Sequence, residues 1–153
     1  MFEVWIDGAC EPVNPKGTAS YGLIVKRNGN ILHSESKIVG KGEGYSNNVA
    51  EYSGLIAFLK WLLTTGKLSS LAILDYDYAT IYSDSMMLIN QMSGAWRVKQ
   101  GMYVPYYHQA IDFINTHGLY HHLSFKWIPR EENWEADNLS KQALIAIGIK
   151  PRH

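Results

Sequence analysis

The order of apolar periods along the chain predicts an α/β domain, a mixed β-sheet covered by helices on both faces. Three observations carry that prediction. Three strand-like runs come first, and the second and third are joined by Arg27-Asn28-Gly29-Asn30; Asn-Gly between apolar runs marks a hairpin, because both residues tolerate positive φ. The apolar period then changes at Asn48 from that of a strand to that of a helix. Beyond that point helices and strands alternate, and crossovers through helices set the later strands parallel to the first, with right-handed connections.

Taken in order, residues 2–9 form the first strand, an apolar run that ends in Asp7-Gly8. Tyr21–Lys26 and Ile31–Val39 complete an antiparallel meander. Val49, Tyr52, Ile56, Leu59 and Leu63 step by three or four and share one helical face, and Gly66 is placed to stop that helix. Residues 79–84 form the fourth strand and Ser85–Met92 a short helix. Val104–His117 is a further helix, His122–Ile128 the fifth strand, Pro129–Asn133 a loop, and Trp134–Ile147 the closing helix. The Gly40-Lys41-Gly42-Glu43-Gly44 stretch lacks the Gly-x-Gly-x-x-Gly spacing of a dinucleotide loop and reads as a connector.

The 153 residues, 46% hydrophobic and 18% charged, fit one ordinary globular domain over residues 1–153. No apolar run reaches the length of a membrane span, and Glu3 and Asp7 stand where a signal peptide would be positive. Cys10 is the only cysteine, which excludes an internal disulfide and a cysteine-rich zinc site; a reducing, cytoplasmic setting is expected. Lys plus Arg and Asp plus Glu both number 14, so no net positive field is available to coat nucleic acid. An acidic centre offset by a basic rim has the same balance.

Asp7, Glu51, Asp84 and Asp137 are the candidate functional residues. Asp7 and Asp84 end apolar strands, Glu51 enters early in a helix, and Asp137 starts the last one. Carboxylates at such places are costly to bury unless something positive compensates them, and hard divalent cations do so well. In open α/β sheets ligands bind at the carboxyl ends of the strands, where these four could converge. Each acid taken singly also fits a solvated turn or helix-end charge.

The residues around these acids carry a resemblance. Asp7-Gly8-Ala9-Cys10 with Asn14-Pro15 and Ala19-Ser20-Tyr21-Gly22, then Ser46-Asn47-Asn48-Val49-Ala50-Glu51, then Ser83-Asp84-Ser85, then Trp127-Ile128-Pro129-Arg130-Glu131-Glu132-Asn133 with Ala136-Asp137, resemble the motifs of the type 1 ribonuclease H family in order and spacing. The resemblance covers nearly the whole chain. It implies a ribonuclease H-like fold with five strands in the order 3-2-1-4-5. It also implies two Mg²⁺ ions, with Mn²⁺ as a substitute, held by Asp7, Glu51, Asp84 and Asp137. The substrate it implies is an RNA–DNA hybrid, with double-stranded RNA as a further one, cut by a monomer to leave 5′-phosphate and 3′-hydroxyl ends. Cys10, Asn14, Asn47 and Asn48 would line the minor groove beside the RNA strand, Ser46 would face a DNA-strand phosphate, and Arg130 would serve in the loop near phosphate.

The chain departs from the family's common bacterial pattern in four places. The segment from Cys10 to Asn14 is one residue longer, Met86 replaces a frequent Gln, and a basic protrusion is missing between Trp96 and Val104, where only Arg97 and Lys99 are basic. Arg130 stands in the loop where a His is usual, which resembles archaeal members. Two other readings stay open on the sequence: a non-catalytic hybrid-binding module, and a resolvase- or transposase-like nuclease of the same superfold. Asn47-Asn48 also fit a helix cap, and Cys10 a small buried residue. His121 and His122, adjacent on a strand, would point to opposite faces and could not share a metal.

Overall fold

The structure, a computed structural model, describes residues 2–64 and 79–152. Gly66, the expected helix stop, lies outside them. Strands β1 (Phe2–Glu11), β2 (Thr18–Arg27) and β3 (Asn30–Lys41) form the meander, and β4 (Ala79–Ser83) and β5 (Leu123–Trp127) complete one sheet in the order β3-β2-β1-β4-β5. β1 runs antiparallel to β2 and parallel to β4, and β4 parallel to β5. The mixed sheet and its strand order are those expected.

Side chains alternate across the sheet, and this assigns its faces. Phe2, Val4 and Ile6 of β1 join Tyr21, Leu23 and Val25 of β2 in the main core, beneath helix α1 (Asn47–Thr64). Val49, Tyr52, Ile56 and Leu59 are buried as their spacing predicts, with Leu63 packed at the margin. Leu55, Phe58 and Leu62 are buried too, so α1 is covered on more than one side. Helices α2 (Met86–Met92) and α3 (Val104–Thr116) lie on the same face, and α4 (Trp134–Ala146) crosses β1, β2 and β3 on the other. Residues 93–103 form no helix. No helix among the described residues is long and apolar enough to cross a membrane.

Several boundaries differ from the expectation, for identifiable reasons. β1 continues to Glu11 and β2 begins at Thr18, because Ala9, Cys10 and Glu11 pair with Ser20, Ala19 and Thr18 despite weak local strand propensity. His122 closes a 3₁₀ turn over Tyr120–His122, so β5 begins at Leu123 and the two histidines do not alternate on a strand. Arg130–Asn133 is a 3₁₀ turn that runs directly into α4. Asp84 lies one residue past β4, in the bend before α2.

Candidate active site

Asp7 sits in the central strand, 7% exposed, and two glycines let both helical layers approach it. A Cβ on Gly8 would lie 2.7 Å from the Asn47 carbonyl oxygen and from the Glu51 backbone nitrogen, so only glycine lets the first turn of α1 lie against β1. Gly22, the cross-strand partner of Asp7, faces α4, where a Cβ would lie 2.6 Å from the Ser140 backbone nitrogen. The Ser20 hydroxyl donates to the Ser140 carbonyl, and Ser36 to that of Leu139, which fixes α4 on the meander. Glu51 and Asp137, on opposite helical layers, are thereby both carried to Asp7.

One carboxylate oxygen from each of Asp7, Glu51 and Asp84 lies within 4.8 Å of the other two. Asp137 is outside this cluster of three but abuts Asp7, within hydrogen-bonding reach of its carboxyl. All four line one cavity of about 270 Å³. The backbone of Asp84 is held by the Trp127 indole N–H, which donates to its carbonyl at 3.1 Å. Asn133, 1% exposed, spans the centre: its amide donates to the Ile6 carbonyl at 2.9 Å and to Asp84 Oδ1 at 3.2 Å. Lys141, one turn beyond Asp137, donates to Asp137 Oδ2 at 2.9 Å.

The electrostatics follow from burial and crowding. Burial, then the Asp84, Glu51 and Asp137 carboxylates, push the Asp7 pKa far above the usual range. Burial and the neighbouring Asp84 charge push Glu51 up to about 8, against a hydrogen bond with Ser85 that acts the other way. Glu51 Oε2 is buried and has no hydrogen-bond partner. A buried, unpartnered carboxylate oxygen within a cluster of acids is what a hard cation satisfies, and the all-oxygen donor set suits Mg²⁺ or Mn²⁺ rather than softer metals. These residues fit a divalent metal centre.

The expected substrate-facing residues divide. Asn14, Asn47, Cys10 and Arg130 line the cavity with the acids. Asn14 and Asn47 are locked together: the Asn14 amide donates to Asn47 Oδ1 at 2.9 Å, and the Asn47 backbone N–H donates to Asn14 Oδ1 at 3.1 Å. Ser46, not the asparagine pair, caps α1, its Oγ accepting the Val49 N–H at 3.2 Å. Asn48 is half-buried in the first turn of α1 and is not among the residues that line the cavity. The Cys10 thiol, 2% exposed and pushed up by burial, donates to the Val13 carbonyl and shapes the Cys10–Asn14 loop. Arg130 is exposed at the start of its turn.

Sequence reasoning missed Asn133, Lys141, Glu11 and Arg152. Lys141 had a signal, since it follows Asp137 by four on a helix. Asn133 could have been read as the residue before α4, although it makes no side-chain cap and serves Asp84 instead. Glu11 and Arg152 meet across 141 positions and had none.

A family model described as reverse transcriptase-like matches residues 6–143. Among curated proteins, the Bifunctional protein Rv2228c of Mycobacterium tuberculosis and the uncharacterized protein Mb2253c of Mycobacterium bovis are each 32% identical over 135 residues, covering 87% of this chain and 33% of theirs. The chain thus spans about a third of the length of the curated relatives it matches. LC11-RNase H1, solved in complex with an RNA/DNA hybrid, is similar at 28% identity and a TM-score of 0.82, over 96% of this chain and 99% of that one. The N-terminal RNase H domain of Rv2228c is similar at 30% identity and a TM-score of 0.71, over 92% and 98%. RNase H1 from the archaeon Halobacterium salinarum, at 24% identity and a TM-score of 0.74 over 95% and 98%, shares the fold. With motifs, strand order and acidic centre in place, the chain belongs to the reverse transcriptase-like family, as a member of its type 1 ribonuclease H branch.

Proposed function

We propose that the protein is an endonuclease that hydrolyses the RNA strand of RNA–DNA hybrids, with two divalent cations held by Asp7, Glu51, Asp84 and Asp137. The observation that carries this reading is the three-acid cluster, in which a buried Glu51 oxygen has no partner of its own. Mg²⁺ is the proposed ion and Mn²⁺ its substitute. When bound, such ions supply an activated water and charge stabilisation at the leaving oxygen of an in-line displacement. The bond broken is that between phosphorus and the RNA 3′-oxygen, so the products carry 5′-phosphate and 3′-hydroxyl ends.

The chain's own residues position the substrate. The Asn14–Asn47 pair presents amide groups beside the acids, and amides suit a 2′-hydroxyl that both donates and accepts, which separates RNA from DNA. Arg130 offers a guanidinium to backbone phosphate from the turn before α4. Lys141 and Asn133 hold Asp137 and Asp84 in their orientations. A monomer contains all four acids, and double-stranded RNA is a second proposed substrate.

The test is a cleavage assay on labelled RNA–DNA, RNA–RNA and DNA–DNA duplexes with Mg²⁺, Mn²⁺ or EDTA. Cutting of the RNA strand of the hybrid, abolished by EDTA, is the expected result. Equal cutting of duplex DNA, or activity that survives chelation, overturns the reading.

A further inference from the structure

The acidic cavity has a third cationic side chain, Arg152, whose seating the chemistry above does not use. Arg152 follows α4 and reaches back to the end of β1. Its backbone N–H and its Nε–H both donate to Glu11 Oε2 at 2.9 Å, and Nη2 donates to the Cys10 carbonyl at 2.9 Å. Glu11 is 5% exposed, so it forms a firm anchor. A guanidinium has five N–H donors in a rigid fork, and these contacts occupy two of them. The Arg152 side chain is 46% exposed and lines the same cavity as Asp7 and Glu51, so the remaining donors have room for an anion.

The charges around the cavity show which anion fits. Asp7, Glu11, Glu51, Asp84 and Asp137 line it, against Arg130, Lys141 and Arg152. Lys141 is engaged by Asp137. Arg130 stands in the turn whose Asn133 bonds Asp84, and Arg152 stands at the Cys10 end of β1. Two always-charged forks on different elements thus line the cavity together with the acids. A polyanion crossing an acidic centre meets repulsion unless its neighbouring phosphates find positive charge on either side, and Arg forks match phosphate oxygens bidentately.

We propose that Arg152 binds a backbone phosphate of the nucleic acid next to the one at the acids, with Glu11 holding the guanidinium in place; this rests on the hybrid-substrate reading. The experiment uses the Asp84→Asn chain, which blocks cleavage, and measures affinity for a labelled RNA–DNA hybrid against KCl concentration. Adding Arg152→Gln is expected to weaken binding about tenfold and to make the slope of log K against log salt shallower by about one, as for loss of a single phosphate contact. Arg152→Lys restores the slope. Glu11→Gln, which leaves the charge and loosens its seat, keeps the slope and weakens binding a few-fold. Methylphosphonates in the DNA strand assign the phosphate: if they erase the difference between Arg152 and Gln it is on that strand, and if they leave it the RNA strand supplies it. Should Arg152→Gln lower only the melting temperature, with affinity and salt slope unchanged, Arg152 is a structural staple and the proposal fails. Failure of the Asp84→Asn chain itself to bind hybrid overturns the substrate reading first.

Discussion

Asp7 and Glu51 differ from Asp84 and Asp137 in what surrounds them. The first two are nearly inaccessible, and one of Glu51's oxygens lacks any partner. The second two are half-buried and served by the protein's own donors, Asn133 for Asp84 and Lys141 for Asp137. One half of the centre is thus compensated within the fold, while the other half is destabilised whenever it ionises alone. The difference teaches that charge at Asp7 and Glu51 is the part of the site that calls for an external cation, and that Asp84 and Asp137 are held in position beforehand.

The largest test removes one acid from the compensated half. Asp84→Asn preserves the hydrogen-bonding outline beside Asn133 and is expected to leave the chain folded while lowering hybrid cleavage about a thousandfold or more. Single-turnover kinetics with circular dichroism on the same sample checks it; full activity would remove the metal chemistry. A smaller effect separates the halves by stability. Because the folded pKa of Glu51 is raised from 4.5 to about 8, the native state holds a proton that the unfolded chain releases. Metal-free stability should therefore fall as pH rises from the ordinary glutamate range through about 8, by on the order of 3 kcal/mol at neutral pH from this residue. Asp7 acts in the same direction. Glu35, held below its usual range chiefly by hydrogen bonds from His33 and Tyr21 against the effect of burial, acts in the opposite direction but at lower pH, outside that window. Thermal melts in EDTA from pH 5 to 8 should show the decline, Glu51→Gln should flatten it, and Mg²⁺ should restore stability at pH 8 but not at pH 5. The smallest effect is Lys141→Ala, which removes a partly exposed i,i+4 pair and should cost only about 0.3–1 kcal/mol in urea unfolding.

The acids and their flanking motifs were legible because local chemistry marks them: strand-end carboxylates, the Asn-Gly hairpin, and the step from a strand to a helical period. What was not legible is tertiary. Asn47 and Asn48 were expected beside the RNA strand, with a helix cap as their other use; Ser46 takes the cap, and Asn47 is bound to Asn14, 33 positions away. β1 was read as ending at Ala9, since nothing local favours a strand through Cys10 and Glu11; pairing with Thr18–Ser20 supplies it. His121-His122 read as strand, but Tyr120–His122 closes a 3₁₀ turn against Leu119, whose carbonyl accepts the His122 N–H. Glu11 and Arg152 come together only once α4 has packed on the meander.

Gly8 and Gly22 have a consequence for how this site can vary. With helix backbone packed against both glycines, the first carbon of any replacement at either position already collides with a neighbouring layer. Neither glycine position can therefore be used to retune that aspartate while the layers stay closed. Drift and engineering are channelled outward, to the asparagine pair, the turn at Arg130 and the returning tail. A saturation map of this chain would show an intolerant ring around one acid and a permissive border beyond it.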